Sequence, residues 1–194
     1  NYLDQIKKEM TQQQALKWIQ KYLGPVIRSA IEKRPGVIYT EDWLAGMAYR
    51  ETGNLIHRYE GKTFEAMSVL MRGDYSKRDG ELEKQYHGFG YWQIDVDSFP
   101  DFVHSENWKD PLNCCLKAID VLESKRKYLF GDNGKFKPGL YPLEYVHRGI
   151  TAAYNCGEGN VAKVIKAGID IDSRTHNKDY TKKVWEYREL YRSL

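Results

Sequence analysis

Apolar residues recur at the spacing of an α-helix along almost the whole chain, and this periodicity restricts the possible folds more than any other feature. A clear example follows the Asp110-Pro111 pair, which is typical of a helix start. Its apolar stripe consists of Leu112, Cys115, Leu116, Ile119 and Leu122. The sequence has no long alternating strand and no internal repeat. We therefore predict an all-α fold of about seven helices, or α+β at most, with a small hairpin within residues 74–97.

Local signals predict where the helices begin and end. Thr11 and Gln14 resemble a capping box that opens the first helix, and Gly24-Pro25 is predicted to interrupt it before a second helix. Thr40 is the expected N-cap of a helix that ends at Glu51, and residues 74–90 are predicted to be a polar surface loop. Later helices are expected over residues 142–155, 161–168 and 178–192.

Length and composition are those of one globular domain over residues 1–194. A net charge of +3 with dispersed basic residues argues against a nucleic-acid partner, and no run is long and apolar enough for a membrane span. No signal peptide is visible, and the chain opens at Asn1 without an initiator methionine, as a processed form would. Three cysteines are too few for a zinc site or a disulfide framework, so buried free thiols are expected, with one bridge from Cys156 as the alternative. No metal or cofactor is predicted.

The segment AGMAYRETGN, residues 45–54, places a carboxyl group on an apolar helix face. Leu44, Met47 and Ala48 share that face, and Glu51 occupies its next position. With Gly53 as the expected stop, Glu51 would lie near the negative end of the helix dipole. Burial and the dipole would both raise the pKa of this carboxyl group. We therefore predict that Glu51 is an inward-facing group kept protonated for use as an acid.

Two further stretches contain residues suited to binding or catalysis. HGFGYWQIDVDSFP, residues 87–100, combines close glycines with Tyr91 and Trp92, whose rings could stack on sugars, and with Gln93, which could bind hydroxyls. Asp95 and Asp97 follow and would share a face only in a regular strand. ITAAYNCGEGNV, residues 150–161, contains Tyr154 and Asn155 at a helix end. Taken singly, a tight turn and a helix corner explain these stretches as well.

Together and in order, RETG, GFGYWQID and AAYNCGEGNV resemble the goose-type lysozymes and the related soluble lytic transglycosylases. These families have E-S, G-x-x-Q-I/V and A-Y-N-A-G-x-G-N motifs in the same order. The C-terminal DIDSRTHNKDYTKKVWEYRELY is also similar to the goose-type end. The resemblance covers residues 40–192, so residues 1–39 are interpreted as N-terminal helices and residues 40–194 as the catalytic core.

The resemblance implies a lysozyme-like fold that cleaves the β-1,4 bond between N-acetylmuramic acid and N-acetylglucosamine. Glu51 matches the catalytic acid, and Asp95 matches a water-positioning aspartate. Asp74 is the candidate for a second aspartate, with Asp79, Glu81 and Glu83 as competitors. The substrate-binding residues implied are Gln93, Tyr91, Trp92, Tyr154 and Asn155, with Tyr154 expected beside Glu51. The implied partner is peptidoglycan or chitin oligosaccharides. The resemblance also implies a monomer that is secreted or located in the cell envelope.

The sequence departs from the family pattern at several positions and leaves three functions open. Thr52 replaces serine, Tyr91-Trp92 replaces a Leu-Met type of pair, Cys156 replaces alanine and Phe99 replaces histidine. An inverting hydrolase needs a base about 6.5–9.5 Å from the acid, for which Asp95 is the candidate, with Asp97 expected to point away. A lytic transglycosylase would need only Glu51. A non-catalytic peptidoglycan- or chitin-binding module is the third possibility, given 15 tyrosines and 5 tryptophans.

Overall fold

The computed structural model of the chain describes the backbone of residues 2–194 and the side chains of these residues except 6–10. Within that part the chain is mainly helical, with one small antiparallel sheet, as the sequence predicts at this coarse level. The helices are α1 (Tyr2–Glu32), α2 (Glu41–Arg58), α3 (Phe64–Ser68), α4 (Pro100–His104), α5 (Pro111–Phe130), α6 (Leu143–Cys156), α7 (Glu158–Ala167) and α8 (Tyr180–Arg192). Single 3-10 turns are formed by Asn107–Lys109, Pro138–Leu140 and His176–Lys178.

The chain forms two compact units. One contains residues 1–118 and 187–194, and the other contains residues 119–186. In the first unit α1 packs against α2, and its buried side chains are Ala15, Leu16, Ile19, Leu23, Ile27 and Ala30. In the second unit α6 packs against α7, and Ile150, Ala153, Val161 and Val164 are among the buried residues.

The predicted break at Gly24-Pro25 is wrong, because α1 continues through both residues. Leu23 and Ile27 on either side are completely buried. Burying such a side chain contributes about 1.5–3 kcal/mol, and proline inside a helix costs about 3 kcal/mol. Two buried side chains therefore offset the cost of the proline. The capping box predicted at Thr11 is also wrong, because α1 already begins at Tyr2.

The predicted small hairpin is confirmed, and it replaces the surface loop predicted for residues 74–90. Strands β1 (Arg72–Ser76), β2 (Gln85–Phe89) and β3 (Ile94–Asp95) form an antiparallel sheet in the order β1-β2-β3. Gly73 pairs with Gly88, and Gly88 pairs in turn with Asp95. This register brings the short polar strands, which have too little periodicity to be recognised individually, into one sheet of the first unit.

The cysteines are free thiols, as the residue count favours. Cys114 and Cys115 are buried on α5, and Cys156 is half-buried at the end of α6. Burial raises the pKa of the Cys114 thiol to about 12, so this group stays protonated at neutral pH. Cys114 and Cys115 fill space in the interior of the first unit.

Candidate active site

Glu51 lies in the middle of α2 and is half-buried. Leu44, Met47 and Ala48 are completely buried, as the helical spacing predicts. The predicted helix end at Glu51 is wrong, because α2 continues to Arg58, two turns further on. The influence of the helix dipole is confined to the last turn, so it does not act on Glu51. Glu51 is thus partly buried, as the sequence predicts, but it lies outside the region of the helix dipole.

Gly53 does not end α2. It lies inside the helix, where the absence of a side chain allows close packing. A β-carbon at Gly53 would lie 2.5 Å from Cε2 of Tyr49, one turn earlier. The glycine therefore makes room for the Tyr49 ring, which is buried. Leu55 and Ile56 follow as further buried residues and extend the helix past the glycine.

Two hydrogen bonds attach the Gly-rich segment to α2. The buried Thr52 hydroxyl lies 3.2 Å from the carbonyl oxygen of Tyr91 and 2.9 Å from that of Ala48. The indole Nε1 of Trp92 donates to the carbonyl oxygen of Leu44 at 3.0 Å. Thr52, the residue next to Glu51, is thus in direct contact with the second motif. The first two sequence motifs form one structural assembly.

Tyr91 and Trp92 are core residues, so the expectation that they stack on a sugar is corrected. Their exposed fractions are 1% and 0%. The Tyr91 hydroxyl lies 3.0 Å from Ser68 Oγ, and its ring packs against Phe64 and Trp18. A ring that is enclosed on all sides has no face for a ligand. The structural alternative, a tight turn with core aromatics, applies to this pair.

Gln93 lies over the paired glycines of the hairpin. A β-carbon at Gly73 would lie 2.2 Å from Gln93 Oε1, and one at Gly88 would lie 2.5 Å from it. Gln93 Nε2 donates to the carbonyl oxygen of Gly90 at 3.0 Å. No described residue donates a hydrogen bond to Gln93 Oε1. The two glycines thus make room for the half-buried side-chain amide of Gln93, which packs against the hairpin.

Asp74 and Asp95 meet at one guanidinium group. Arg78 donates from Nη2 to Asp74 Oδ2 and from Nη1 to Asp95 Oδ1, both at 2.8 Å. Partial burial would raise the pKa of Asp74, but hydrogen bonds from Arg78 and Ser76 outweigh this effect and lower it. The hairpin therefore brings together the two aspartates that the sequence could not connect.

The prediction that Asp97 points away from Asp95 is wrong. Asp97 Oδ2 accepts a hydrogen bond from the same Nη1 atom of Arg78. The cause is a turn after β3, in which the backbone N–H and hydroxyl of Ser98 donate to Asp95 Oδ2 at 2.9 and 2.8 Å. The turn brings Asp95 and Asp97 to the same side, so a regular strand is not the only conformation in which these two residues share a face.

His87 is the buried centre of the hairpin, with a completely buried side chain. Its Nε2 lies 2.7 Å from Glu81 Oε1, and its Nδ1 lies 2.9 Å from the carbonyl oxygen of Asp74. Carboxylate and carbonyl oxygens only accept hydrogen bonds, so this geometry favours the imidazolium form, in which both ring nitrogens donate. Burial lowers the pKa of His87, but the bonds to Glu81 and Asp74 have the larger effect and raise it.

Tyr154 and Asn155 lie at the end of α6 in the second unit. Asn155 is exposed, and its Oδ1 accepts a hydrogen bond from the backbone N–H of His176 at 2.9 Å. Asn155 thus holds the turn before α8. Tyr154 is half-buried, and its predicted contact with Glu51 stays a prediction.

Sequence reasoning missed Arg78 and identified Glu81 only as a competitor for the second aspartate. The backbone N–H of Arg78 donates to Glu81 Oε2 at 2.8 Å, and this bond is the main reason that the pKa of Glu81 falls to about 2. An arginine among several charged residues has no distinctive spacing. The only sequence feature that could have indicated this cluster is His87, which directly precedes the Gly-rich motif and lies on β2.

No family model matches this chain, and no curated protein sequence matches it. In the part of the chain that the structure describes, no helix combines the length and apolarity needed to cross a bilayer. The described residues also include no group of three or more His, Cys, Asp or Glu side chains that could hold a metal ion.

Proposed function

We propose that this protein is a muramidase of the goose-type lysozyme class, with Glu51 as the general acid. Its substrate would be the β-1,4 bond between N-acetylmuramic acid and N-acetylglucosamine in peptidoglycan. The observation that carries the proposal is the direct bond between the two motifs. Thr52, next to Glu51, contacts the carbonyl oxygen of Tyr91 in the segment that leads to Gln93 and Asp95.

Glu51 meets the physical requirements of a general acid. It is half-buried and projects from a helix whose neighbouring positions are fixed in the core. A rigid element holds a reacting group more precisely than a loop does. In the proposed reaction this proton passes to the glycosidic oxygen as the bond to the leaving sugar breaks.

Asp95 is the proposed base that activates water in a hydrolysis with inversion. Its side chain is 35% exposed, and Oδ1 accepts one hydrogen bond, from Arg78. A carboxylate oxygen has two lone pairs, so Oδ1 can accept another from a water molecule. This oxygen would take a proton from water while the water attacks the sugar.

A lytic transglycosylase is the second candidate, and one observation favours it. Asp95 already accepts three hydrogen bonds from protein donors, one of them from a cation, so fewer of its lone pairs remain for an attacking water molecule. In this reaction Glu51 would act alone, first as acid and then as base. The 6-hydroxyl of the substrate would then close a 1,6-anhydro ring.

The test is mass spectrometry of purified peptidoglycan after incubation with the wild-type protein and with Glu51→Gln. The Gln variant keeps the shape and loses the ionisable proton donor, and general acid catalysis contributes about 10²–10⁴ in rate. We expect reducing ends from the wild type and a rate lower by that factor from Glu51→Gln, with unchanged thermal unfolding.

The matched control is Glu60→Gln, which removes an exposed carboxyl group just after α2. It should cleave at the wild-type rate. Near-normal turnover by Glu51→Gln would disprove its role as the acid. If the wild-type digest contained only anhydro ends, the protein would be a lytic transglycosylase. If the wild type bound peptidoglycan without cleaving it, the protein would be a non-catalytic binding module.

A further inference from the structure

A continuous series of polar contacts runs from the interior of the hairpin to the candidate base. It starts at His87 Nε2, which donates to Glu81 Oε1 at 2.7 Å. Glu81 Oε2 accepts from the backbone N–H of Arg78 at 2.8 Å. The Arg78 guanidinium then donates to Asp95 Oδ1 at 2.8 Å. A completely buried group is thus connected to a partly exposed carboxylate through three hydrogen bonds.

The loop that carries Arg78 depends on this connection. Between β1 and β2, residues Lys77, Asp79 and Gly80 are exposed, so no apolar burial holds the loop at these positions. Glu81 fixes the loop backbone at Arg78, and His87 fixes Glu81. Because His87 is completely buried, this attachment point is rigid.

Arg78 is the positive charge at which three carboxylates meet. Asp74, Asp95 and Asp97 bring up to three negative charges together around one positive charge. Like charges at such distances repel, and one of the groups would otherwise gain a proton or turn away. A planar guanidinium can contact several carboxylates from fixed directions, which the point charge of a lysine cannot do.

We propose that Arg78 is a positioning residue for Asp74 and Asp95, held at these carboxylates by the buried His87–Glu81 pair. Its consequence for catalysis depends on the proposed muramidase function, whereas its effect on the carboxylates does not. Arg78 touches no reacting atom. It sets the direction in which Asp95 presents its remaining lone pair.

The first experiment measures the carboxylates directly by NMR titration of Asp and His side chains. Replacing Arg78 by Gln removes the cation, so we expect the pKa of Asp74 to rise from its lowered value in Arg78→Gln. Glu81→Gln removes the charged acceptor of His87, so the pKa of His87 should fall. The control Lys77→Gln removes one exposed positive charge from the same loop and should move neither.

The second experiment measures cleavage kinetics on soluble peptidoglycan fragments. A misplaced reacting group can cost about 10² in rate, so Arg78→Gln should lower kcat by about that factor and leave KM nearly unchanged. Arg78→Lys should restore a part of kcat, because it keeps the charge and loses the planar fork. Lys77→Gln should match the wild type in both kcat and KM.

The outcomes separate the two proposals. The role of Arg78 would be overturned if Arg78→Gln left the pKa of Asp74 unchanged. It would also be overturned if the wild type cleaved peptidoglycan and Arg78→Gln had the same kcat. A wild-type protein that releases no glycan fragments would overturn the muramidase function, and the NMR arm alone would then decide on Arg78. If Arg78→Gln fails to fold, Arg78→Lys still provides the kinetic readout, because it loses the planar fork, and an unchanged kcat in that variant would overturn the role of Arg78.

Discussion

Asp95 in the hairpin and Asp172 before α8 are two carboxylates that the chain holds in different ways. Asp172 is 1% exposed, whereas the side chain of Asp95 is 35% exposed. Asp172 accepts hydrogen bonds from Thr175 and Arg148, from both the backbone and the hydroxyl of Thr181, and from the backbone of Lys182. Asp95 accepts three, from Arg78 and from Ser98.

The difference separates a structural carboxylate from a chemically available one. The donors to Asp172 include backbone N–H groups in the first turn of α8, which have no partner within the helix. Burial raises the pKa of Asp172, but the bonds from Thr181 and Lys182 outweigh it and lower the pKa. With every lone pair occupied and no solvent contact, Asp172 can only stabilise the fold. Asp95 retains a lone pair and access to water.

The largest expected effect concerns stability. Asp172→Asn replaces an acceptor oxygen by an amide donor that faces other donors, so it should lower the free energy of unfolding by about 3 kcal/mol. Thermal and urea unfolding measure this change. Asp132→Asn, at an exposed position of the same unit, should stay within about 0.5 kcal/mol of the wild type. If Asp172→Asn were as stable as the wild type, the structural role assigned to Asp172 would be wrong.

Asp95→Asn should show the opposite behaviour. Loss of a catalytic base lowers the rate by about 10² or more, while an exposed ion pair contributes at most about 1 kcal/mol to stability. Hydrolysis should therefore fall sharply in a protein with nearly unchanged unfolding. Full activity of Asp95→Asn would assign Asp95 a structural role and favour the transglycosylase mechanism.

The smallest effect is the response of stability to pH, which should have opposite signs in the two regions. The lowered pKa of Asp172 means that its stabilisation is present above about pH 4 and is lost as the pH falls through its folded value. The raised pKa of His87 means that its stabilisation is present below about pH 6.5 and is lost as the pH rises through its folded value.

Unfolding of Asp172→Asn and His87→Gln across this pH range would measure the two contributions. The difference between Asp172→Asn and wild type should shrink in acid. The difference between His87→Gln and wild type should shrink in alkali. The same sign in both regions would contradict the assignment of an imidazolium to His87.

Helical content was predictable because it depends on local spacing and on burial. The apolar stripes of α2, α5 and α8 and the Asp110-Pro111 start of α5 are visible in the sequence and recur in the structure. Helix ends were less predictable. Gly53 and Pro25 look like stops locally, and only the Tyr49 ring and the buried neighbours of the proline explain why the helices continue.

The sequence by itself determined the residue types and their order: a glutamate on an apolar helix face, a Gly-rich segment that ends in aspartate, and a mainly helical chain. The tertiary structure decided which carboxylates come together. Asp74 and Asp95 are far apart along the chain, and they meet because β1, β2 and β3 pair and Arg78 lies between them. It also decided that Tyr91 and Trp92 are buried. Strand register and burial depend on contacts between distant residues, and local periodicity contains no information about these contacts.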